Sequence, residues 1–347
     1  MSNINSKDND LKNGLSASNK NRLEWVLIAK GIGIFLVVVG HFFPASSPEY
    51  WIEMRKIIYT FHMPLFFLLS GYLYNEVKYS YFSLLANKVR RLLFPFISIA
   101  IIFFIIKYIS GLYVTVNYPV NLNSLRALII DPVNSYMPLL WFVHTLFLLF
   151  IIYPLLRLFL NKAMILAVIL VTNVIFGTEL YIVNNVLEYA PYFIVGTIFR
   201  DKSKFMSMLI GNNYLILTVS LFIFTSIYVF SLQGGLSGYH YLIKFLLGVF
   251  GSVFVINISK QISNSKSMTV KSYIVSIGVY SMSIYLFHTL FESAIRIGLS
   301  VEVLRFSIPF ELIAILAVLA GVVFPLLLEK YFLSKNTLSR KYILGTK

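Results

Sequence analysis

The sequence predicts an all-α integral membrane protein, a ten-span helical bundle with both termini in the cytoplasm. The first observation is composition, because 58% of the 347 residues are hydrophobic and only 12% are charged. A soluble domain carries roughly a quarter charged residues, so this chain cannot coat a soluble surface. The second is that apolar runs of roughly 20 residues, enough to cross the hydrocarbon layer, recur from Trp25 to Phe332. The third is that lysines and arginines collect on one side of those runs.

The apolar runs define the ten predicted spans in chain order. They cover residues 25–43, 57–74, 92–113, 138–157, 163–182, 186–199, 208–231, 240–258, 272–291 and 310–332. The sixth is short and contains Pro191, which can either break a helix or be accommodated by neighbouring helices. Without this span the count is nine, and the termini lie on opposite sides of the membrane.

Basic residues favour ten spans over nine. With ten, 21 lysines and arginines fall on one side of the membrane and five on the other. The positive-inside rule expects such an excess in cytoplasmic loops. Without the sixth span, the basic residues would no longer collect on one side of the membrane. The net charge of +15 therefore reports topology rather than nucleic-acid binding.

A single membrane domain, residues 25–333, accounts for most of the chain. Residues 1–24 are polar and lack an apolar core with a cleavage site, which predicts a disordered cytoplasmic tail rather than a signal peptide. Residues 334–347 are predicted to be a basic cytoplasmic tail. The outer loops are too short for a further domain, so chemistry is expected in the bundle or at its edges. Without cysteine, disulfides, thiolate nucleophiles and Cys-ligated metals are excluded.

The first span contains the strongest candidate site, because it carries Lys30 and His41 in AKGIGIFLVVVGH. Ionisable groups are costly in a membrane helix, so each is a functional candidate. The spacing of eleven residues is about three turns, which puts both side chains on one face about 16 Å apart. A cation near the cytoplasm and an imidazole further out suit a substrate that enters with an anionic end. The pair also fits a lysine that extends to the interface and a histidine that caps the helix.

The other histidines are weaker candidates. His62 precedes a proline in FHMPLFFLLSGYLY, and a kinked or opened second span would bring it near His41. His144, His240 and His288 are each compatible with hydrogen bonding at the membrane interface.

The predicted inner loop 75–91 ends in KVRR, whose Lys88, Arg90 and Arg91 could bind phosphates or simply anchor the loop. The chain has no Walker-type phosphate loop, no nucleophile elbow and no His-Glu-x-x-His motif. Glu188 is the main intramembrane acid, and the scarcity of such acids disfavours a proton-coupled pump.

Six segments, taken in order, resemble the membrane-bound acyltransferase-3 family, and AKGIGI looks closest to its branch related to fucose 4-O-acetylases. They are AKGIGIFLVVVGH, FHMPLFFLLSGYLY, KVRRLLFPF, LWFVHTLFLLF, YAPYFIVGTIFR and SMSIYLFHTLF. The first looks like the family's Arg/Lys-x10-His signature. Leu27 departs from the family, because relatives often carry Asp three residues before the basic residue. Glu24 lies about 240° round the helix from Lys30 and cannot replace that acid.

The resemblance implies a membrane O-acetyltransferase of the cytoplasmic (inner) membrane, with residues 25–333 as its acyltransferase domain. His41 would act as general base on the acceptor hydroxyl or carry the acyl group, and His62 matches the family's second-span histidine. Lys30, Arg90 and Arg91 would lie on the side of the acyl donor, cytoplasmic acetyl-CoA, and no metal is expected.

The expected acceptor is a hydroxyl of a surface-polysaccharide sugar (O-antigen, capsule or exopolysaccharide), modified while the sugar is lipid-linked at the membrane. The expected partners are therefore acetyl-CoA, this glycan and membrane lipids, without nucleic acid. The span number alone also allows a lipid-linked glycan transporter or a polysaccharide polymerase. A polymerase usually needs a large outer loop rich in arginine, which this sequence lacks.

Overall fold

The structure, a computed structural model, describes residues 17–75, 80–113, 119–175, 180–201, 219, 222, 239–265, 268–299 and 308–346. All the regular elements in these ranges are helical. The α-helices are α1 (Ala17–His41), α2 (Glu49–Leu73), α3 (Tyr81–Lys88), α4 (Phe94–Gly111), α5 (Leu122–Ile130), α6 (Trp141–Leu156), α7 (Lys162–Ile175), α8 (Tyr181–Asp201), α9 (Tyr239–Asn264), α10 (Met268–Val279), α11 (Ser281–Gly298), α12 (Phe310–Leu328) and α13 (Thr337–Tyr342). Short π-helices join α3 to α4 (Val89–Leu93) and follow α12 (Glu329–Leu333).

Five helical segments in the described ranges are long and apolar enough to cross a membrane. They are Glu24–His41, Tyr81–Gly111, Pro138–Leu156, Tyr241–Asn264 and Phe310–Leu333. A sixth results if α10 and α11 count as one span, although the chain bends by 81° between them. The prediction of a helical membrane protein is confirmed. The number ten and the sides of the termini stay predictions, and the seventh predicted span, 208–231, lies mostly outside the described residues.

Helices α1 and α8 are among those that differ in length from their predicted spans. Helix α1 begins at Ala17, so residues 17–24, which the sequence assigns to a disordered tail, are helical. Helix α8 has 21 residues and continues through Pro191, which makes it longer than the predicted sixth span. A helix of that length extends about 32 Å, close to the thickness of the hydrocarbon layer.

Glycines allow α2 and α8 to pack backbone to backbone. A Cβ atom added to Gly71 would overlap the carbonyl of Phe193, and one added to Gly196 would overlap the carbonyl of Leu68. Small residues at such crossings are typical of membrane helices, because tight van der Waals packing replaces the hydrophobic driving force. This crossing holds the His62 helix against the centre of the bundle.

Gly31 of α1 serves the same purpose. It lies against α10, whereas Gly33 and Gly40 lie against side chains of α2. A Cβ added to Gly31 would meet the carbonyl of Ile274, and one added to Gly278 would meet the carbonyl of Leu27. The helix that carries Lys30 and His41 is therefore fixed by close backbone contact with α10.

The C-terminal residues, which the sequence predicts to be a tail, pack against the helix that follows Arg90. The ring of Tyr342 lies 5.3 Å from that of Phe94, and the hydroxyl of Ser98 donates to the Tyr342 carbonyl at 2.9 Å. Gly345 has φ of 61°, a left-handed conformation that glycine adopts without strain, and it contacts the backbone of Arg90.

Candidate active site

A cavity of about 430 Å³ lies among α1, α2, α6, α11 and the segment that joins α3 to α4. Its basic end carries Lys30, Lys88 and Arg91. Its apolar wall includes Ile34, Met63, Phe66, Phe142 and Tyr285. The volume falls within the range of small-molecule sites, and a charged mouth above an apolar wall suits a long ligand with an anionic end.

Three different elements supply the cations of the basic end. Lys30 comes from α1, Lys88 ends α3, and Arg91 lies on the π-helix. The Lys88 ammonium lies 3.4 Å from the centre of the Phe150 ring, a cation–π contact. Among the described residues, no carboxylate forms an ion pair with any of the three cations. Their charge is therefore available to an anionic ligand.

Arg90 does not line the cavity, although the sequence predicts it beside Arg91. Its guanidinium donates to the Asn87 side chain at 3.2 Å, and its buried Nε has no partner among the described residues. Consecutive residues of a helix point in different directions, and here the cavity is lined by Arg91 and Leu92 but not by Arg90. The structure separates the two predicted phosphate-binding residues.

Glu24 does not neutralise Lys30. Its carboxylate pairs with Lys271 at 2.5 Å and accepts a hydrogen bond from Ser263 at 3.1 Å. The backbone of Leu27 lies against Gly278. The sequence prediction that Glu24 cannot replace the missing acid at position 27 agrees with this arrangement.

His41 is the last residue of α1 and is partly exposed. No described residue makes a hydrogen bond to its ring. Its nearest aromatic neighbours are His288, with ring centroids 5.3 Å apart, and Tyr59, at 6.1 Å. The ring is therefore open to a partner or a substrate.

His62 and His288 are buried, with 2% and 0% of their surface exposed. The Nδ1 atom of His62 lies 2.8 Å from the Ile58 carbonyl, four residues earlier on α2. The His62 ring also lies 4.7 Å from that of Tyr59, so one tyrosine borders both His41 and His62. His41, His62 and His288 together are named the histidine cluster. The sequence prediction that His62 lies near His41 agrees with this geometry, whereas His288 is buried rather than interfacial.

The histidine cluster lies just beyond the apolar wall of the cavity. Ile34 precedes His41 by two turns on the same face of α1, about 10 Å along the axis. Met63 is adjacent to His62, and Tyr285 precedes His288 by three residues. Each of the three helices thus carries both a cavity residue and a histidine within two turns of each other.

Arg55 is a cation beside the cluster. Its Nε donates to the Gly40 carbonyl at 2.6 Å, and its guanidinium lies 3.8 Å from the centre of the Phe43 ring. The Arg55 guanidinium also donates a hydrogen bond to the Tyr59 hydroxyl at 3.4 Å. These contacts tie the start of α2 to the His41 end of α1.

Sequence reasoning overlooked two buried acids. Glu292 is 4% exposed and lies one turn after His288 on α11, and one of its oxygens has no hydrogen-bond partner in the part of the chain that the structure describes. Glu329 is 6% exposed and accepts a hydrogen bond from Ser283 at 2.7 Å. The i, i+4 spacing of His288 and Glu292 was the available signal. It was missed because the predicted span ends at residue 291.

The other predicted candidates lie away from the cavity. Glu188 forms an ion pair with Lys244 at 2.5 Å, so these two charges neutralise each other. His144 lies on α6 with its ring 6.3 Å from that of Phe96. The side chain of His240 is outside the described residues.

Comparison with known proteins agrees with these features. The family model of the acyltransferase-3 domain, described as an acyltransferase domain, matches residues 23–330. A curated relative, nodulation protein NolL of Mesorhizobium japonicum, is 27% identical over 181 residues, covering 50% of this chain and 46% of NolL. The chain thus spans about half the length of this relative. No solved structure matches the chain.

Proposed function

This chain belongs to the acyltransferase-3 family of membrane acyltransferases, and from that premise we propose that it transfers acetyl groups from cytoplasmic acetyl-CoA to a sugar hydroxyl. The proposed acceptor is a surface polysaccharide or its lipid-linked precursor. The family match favours an acyltransferase over the transporter or polymerase that the span number alone allows.

The observation that carries the proposal is the path from the basic end of the cavity to the histidine cluster. Lys30, Lys88 and Arg91 lack carboxylate partners among the described residues, so they are suited to the phosphates of coenzyme A. The apolar wall suits the uncharged pantetheine arm. His41, beyond that wall and partly exposed, is suited to meet an acceptor hydroxyl.

The proposed step uses His41 as general base. A sugar hydroxyl is a poor nucleophile, and a neutral imidazole can take its proton as the oxygen attacks the thioester carbonyl. The new C–O ester bond forms, the C–S bond breaks, and the coenzyme A thiolate leaves and takes up a proton. A base of this kind contributes roughly 10²–10⁴-fold to the rate.

The proposed orientation has ten spans with both termini, Lys30 and Arg91 on the cytoplasmic side and His41 toward the outer leaflet. Because the chain has no cysteine, single cysteines can report the side of each loop without background. A cysteine at Ser80 should react with a membrane-impermeant thiol reagent only after the cells are opened. One at Ser46 should react in intact cells. The reverse pattern would contradict the orientation.

Two measurements test the activity. Acetyl-CoA should raise the unfolding temperature of the purified protein by mass action, and Lys30→Gln should weaken that effect. Mass spectrometry of surface glycan should show a loss of acetyl groups in a deletion strain, with recovery on complementation. Unchanged glycan acetylation together with no thermal response to acetyl-CoA would contradict the proposal.

A further inference from the structure

His288 is a buried imidazole to which the proposed reaction gives no role. Its Nδ1 lies 2.9 Å from the carbonyl oxygens of both Ile284 and Tyr285. Because a carbonyl can only accept, Nδ1 carries the proton of the neutral ring, and Nε2 holds the lone pair. That Nε2 atom is buried and has no hydrogen-bond partner among the residues that the structure describes. A buried acceptor without a partner is costly, so the site is built for a donor.

The ring of His41 is positioned to be that donor. The centroids of the two rings are 5.3 Å apart, and the ring planes are inclined by 59°. No hydrogen bond joins them in the structure, but an N–H···N bond of about 3 Å fits a centroid separation of this size. His41 is able to turn toward His288, because it ends α1 and no described residue holds its ring by a hydrogen bond.

The other polar groups around the cluster are less suited to this position. Arg55 is engaged by the Gly40 carbonyl, and the Nδ1 of His62 is engaged by its own helix. Tyr59 borders His41 from α2. Glu292 is the rival donor, since it follows His288 by one turn and has an unpartnered oxygen.

We infer that His288 is a positioning residue that selects the tautomer of His41. The N–H of His41 donates to Nε2 of His288, which leaves the lone pair on the opposite ring nitrogen of His41. That nitrogen is then the one that takes the proton of the acceptor hydroxyl. The inference rests on the proposed role of His41 as base. The tautomer can nevertheless be measured without any acyl transfer.

The test uses full-length protein in detergent, labelled with ¹⁵N-histidine. The chain has only five histidines, so His→Gln substitutions assign the signals. One His41 nitrogen should be protonated and should show scalar coupling across a hydrogen bond to Nε2 of His288. The substitution His288→Leu should make His41 average between two tautomers, whereas His144→Gln should leave the His41 signals unchanged.

Two outcomes would overturn the inference. One is a wild-type His41 that averages between tautomers without coupling to His288. The other is a folded His288→Leu protein in which His41 keeps its single tautomer. If the His288→Leu protein does not fold, the His288→Gln protein is used instead. The amide oxygen of the new glutamine retains a hydrogen-bond acceptor near the position of Nε2. The wild-type coupling then decides the question.

Kinetics separate this inference from the proposed function. The substitution His288→Leu should lower kcat by about 10²–10⁴-fold, the range seen when a base loses its proton transfer or its orienting partner. The KM for acetyl-CoA should not change, because His288 does not line the cavity. If the His41–His288 coupling is present in a protein that transfers no acetyl group, the proposed function is rejected and the hydrogen bond between the two histidines is retained. A fully active His288→Leu enzyme would reject the positioning role.

Discussion

The imidazole rings of His41 and His288 lie 5.3 Å apart, centroid to centroid, on helices that are distant in the sequence. His62 approaches the same place from a third helix, with Tyr59 between its ring and that of His41. The cluster lies beyond the apolar wall of a cavity whose other end is basic. This separation of the three cavity cations from the imidazoles predicts that substitutions at the two ends will affect different steps.

Replacement of the proposed base should stop the chemistry without unfolding the protein. We expect His41→Gln to lower acetyl transfer by at least about 10²-fold, because the amide cannot take a proton from the hydroxyl. Mass spectrometry of surface glycan measures the acetyl content. The substitution His144→Gln is the control, since that ring lies on α6 near Phe96. Full acetylation in an inserted His41→Gln protein would remove His41 from the mechanism.

The two neighbouring arginines should differ in their effect on the donor. Arg91 lines the cavity and Arg90 does not, so Arg91→Gln should raise the KM for acetyl-CoA by about tenfold. The matched Arg90→Gln should leave this KM nearly unchanged. Steady-state kinetics with varied acetyl-CoA compares them. Equal effects of both substitutions would argue against a specific phosphate contact at Arg91.

An acid at position 27 should compete with the ligand for Lys30. In Leu27→Asp the new carboxylate lies three residues before Lys30 on the same helix, a spacing that allows an ion pair. We expect the KM for acetyl-CoA to rise a few-fold, whereas the uncharged Leu27→Asn should show a smaller change. A lower KM in Leu27→Asp would mean that an acid orients Lys30 rather than neutralising it.

The crossing of α2 and α8 should tolerate no added methyl group. We expect Gly71→Ala to destabilise the protein by about 1–3 kcal/mol, because the new Cβ would overlap the carbonyl of Phe193. Gly298→Ala is the matched control, since a Cβ added there has nothing within 4 Å. Thermal unfolding in detergent compares the two. An unfolding temperature of Gly71→Ala equal to that of wild type would contradict the close backbone contact.

Local patterns in the sequence predicted the features that depend on only one helix. The helical class follows from apolar runs, and the shared face of Lys30 and His41 follows from the helical period. The same period placed Glu24 away from Lys30. Its true partner, Lys271, lies on α10 and could not be identified from α1 alone.

Features that join distant helices were predicted less well. Arg90 and Arg91 are equivalent in the sequence, and only the surrounding helices distinguish the one that lines the cavity. His288 looked interfacial because a lone histidine near a span end often is. The packing of α11 against its neighbours buries it completely instead.

The sequence by itself determined that this protein lies in a membrane, that it is helical and which family it belongs to. It also determined that Lys30 and His41 share one face of a helix. These properties depend on composition and on a periodicity of a few residues. Tertiary structure alone decided that Gly31 of α1 packs against α10, that three cations with no carboxylate partner among the described residues share one cavity, and that His288 lies beside His41. The physical reason is that such contacts depend on how helices cross in three dimensions, which local periodicity does not encode.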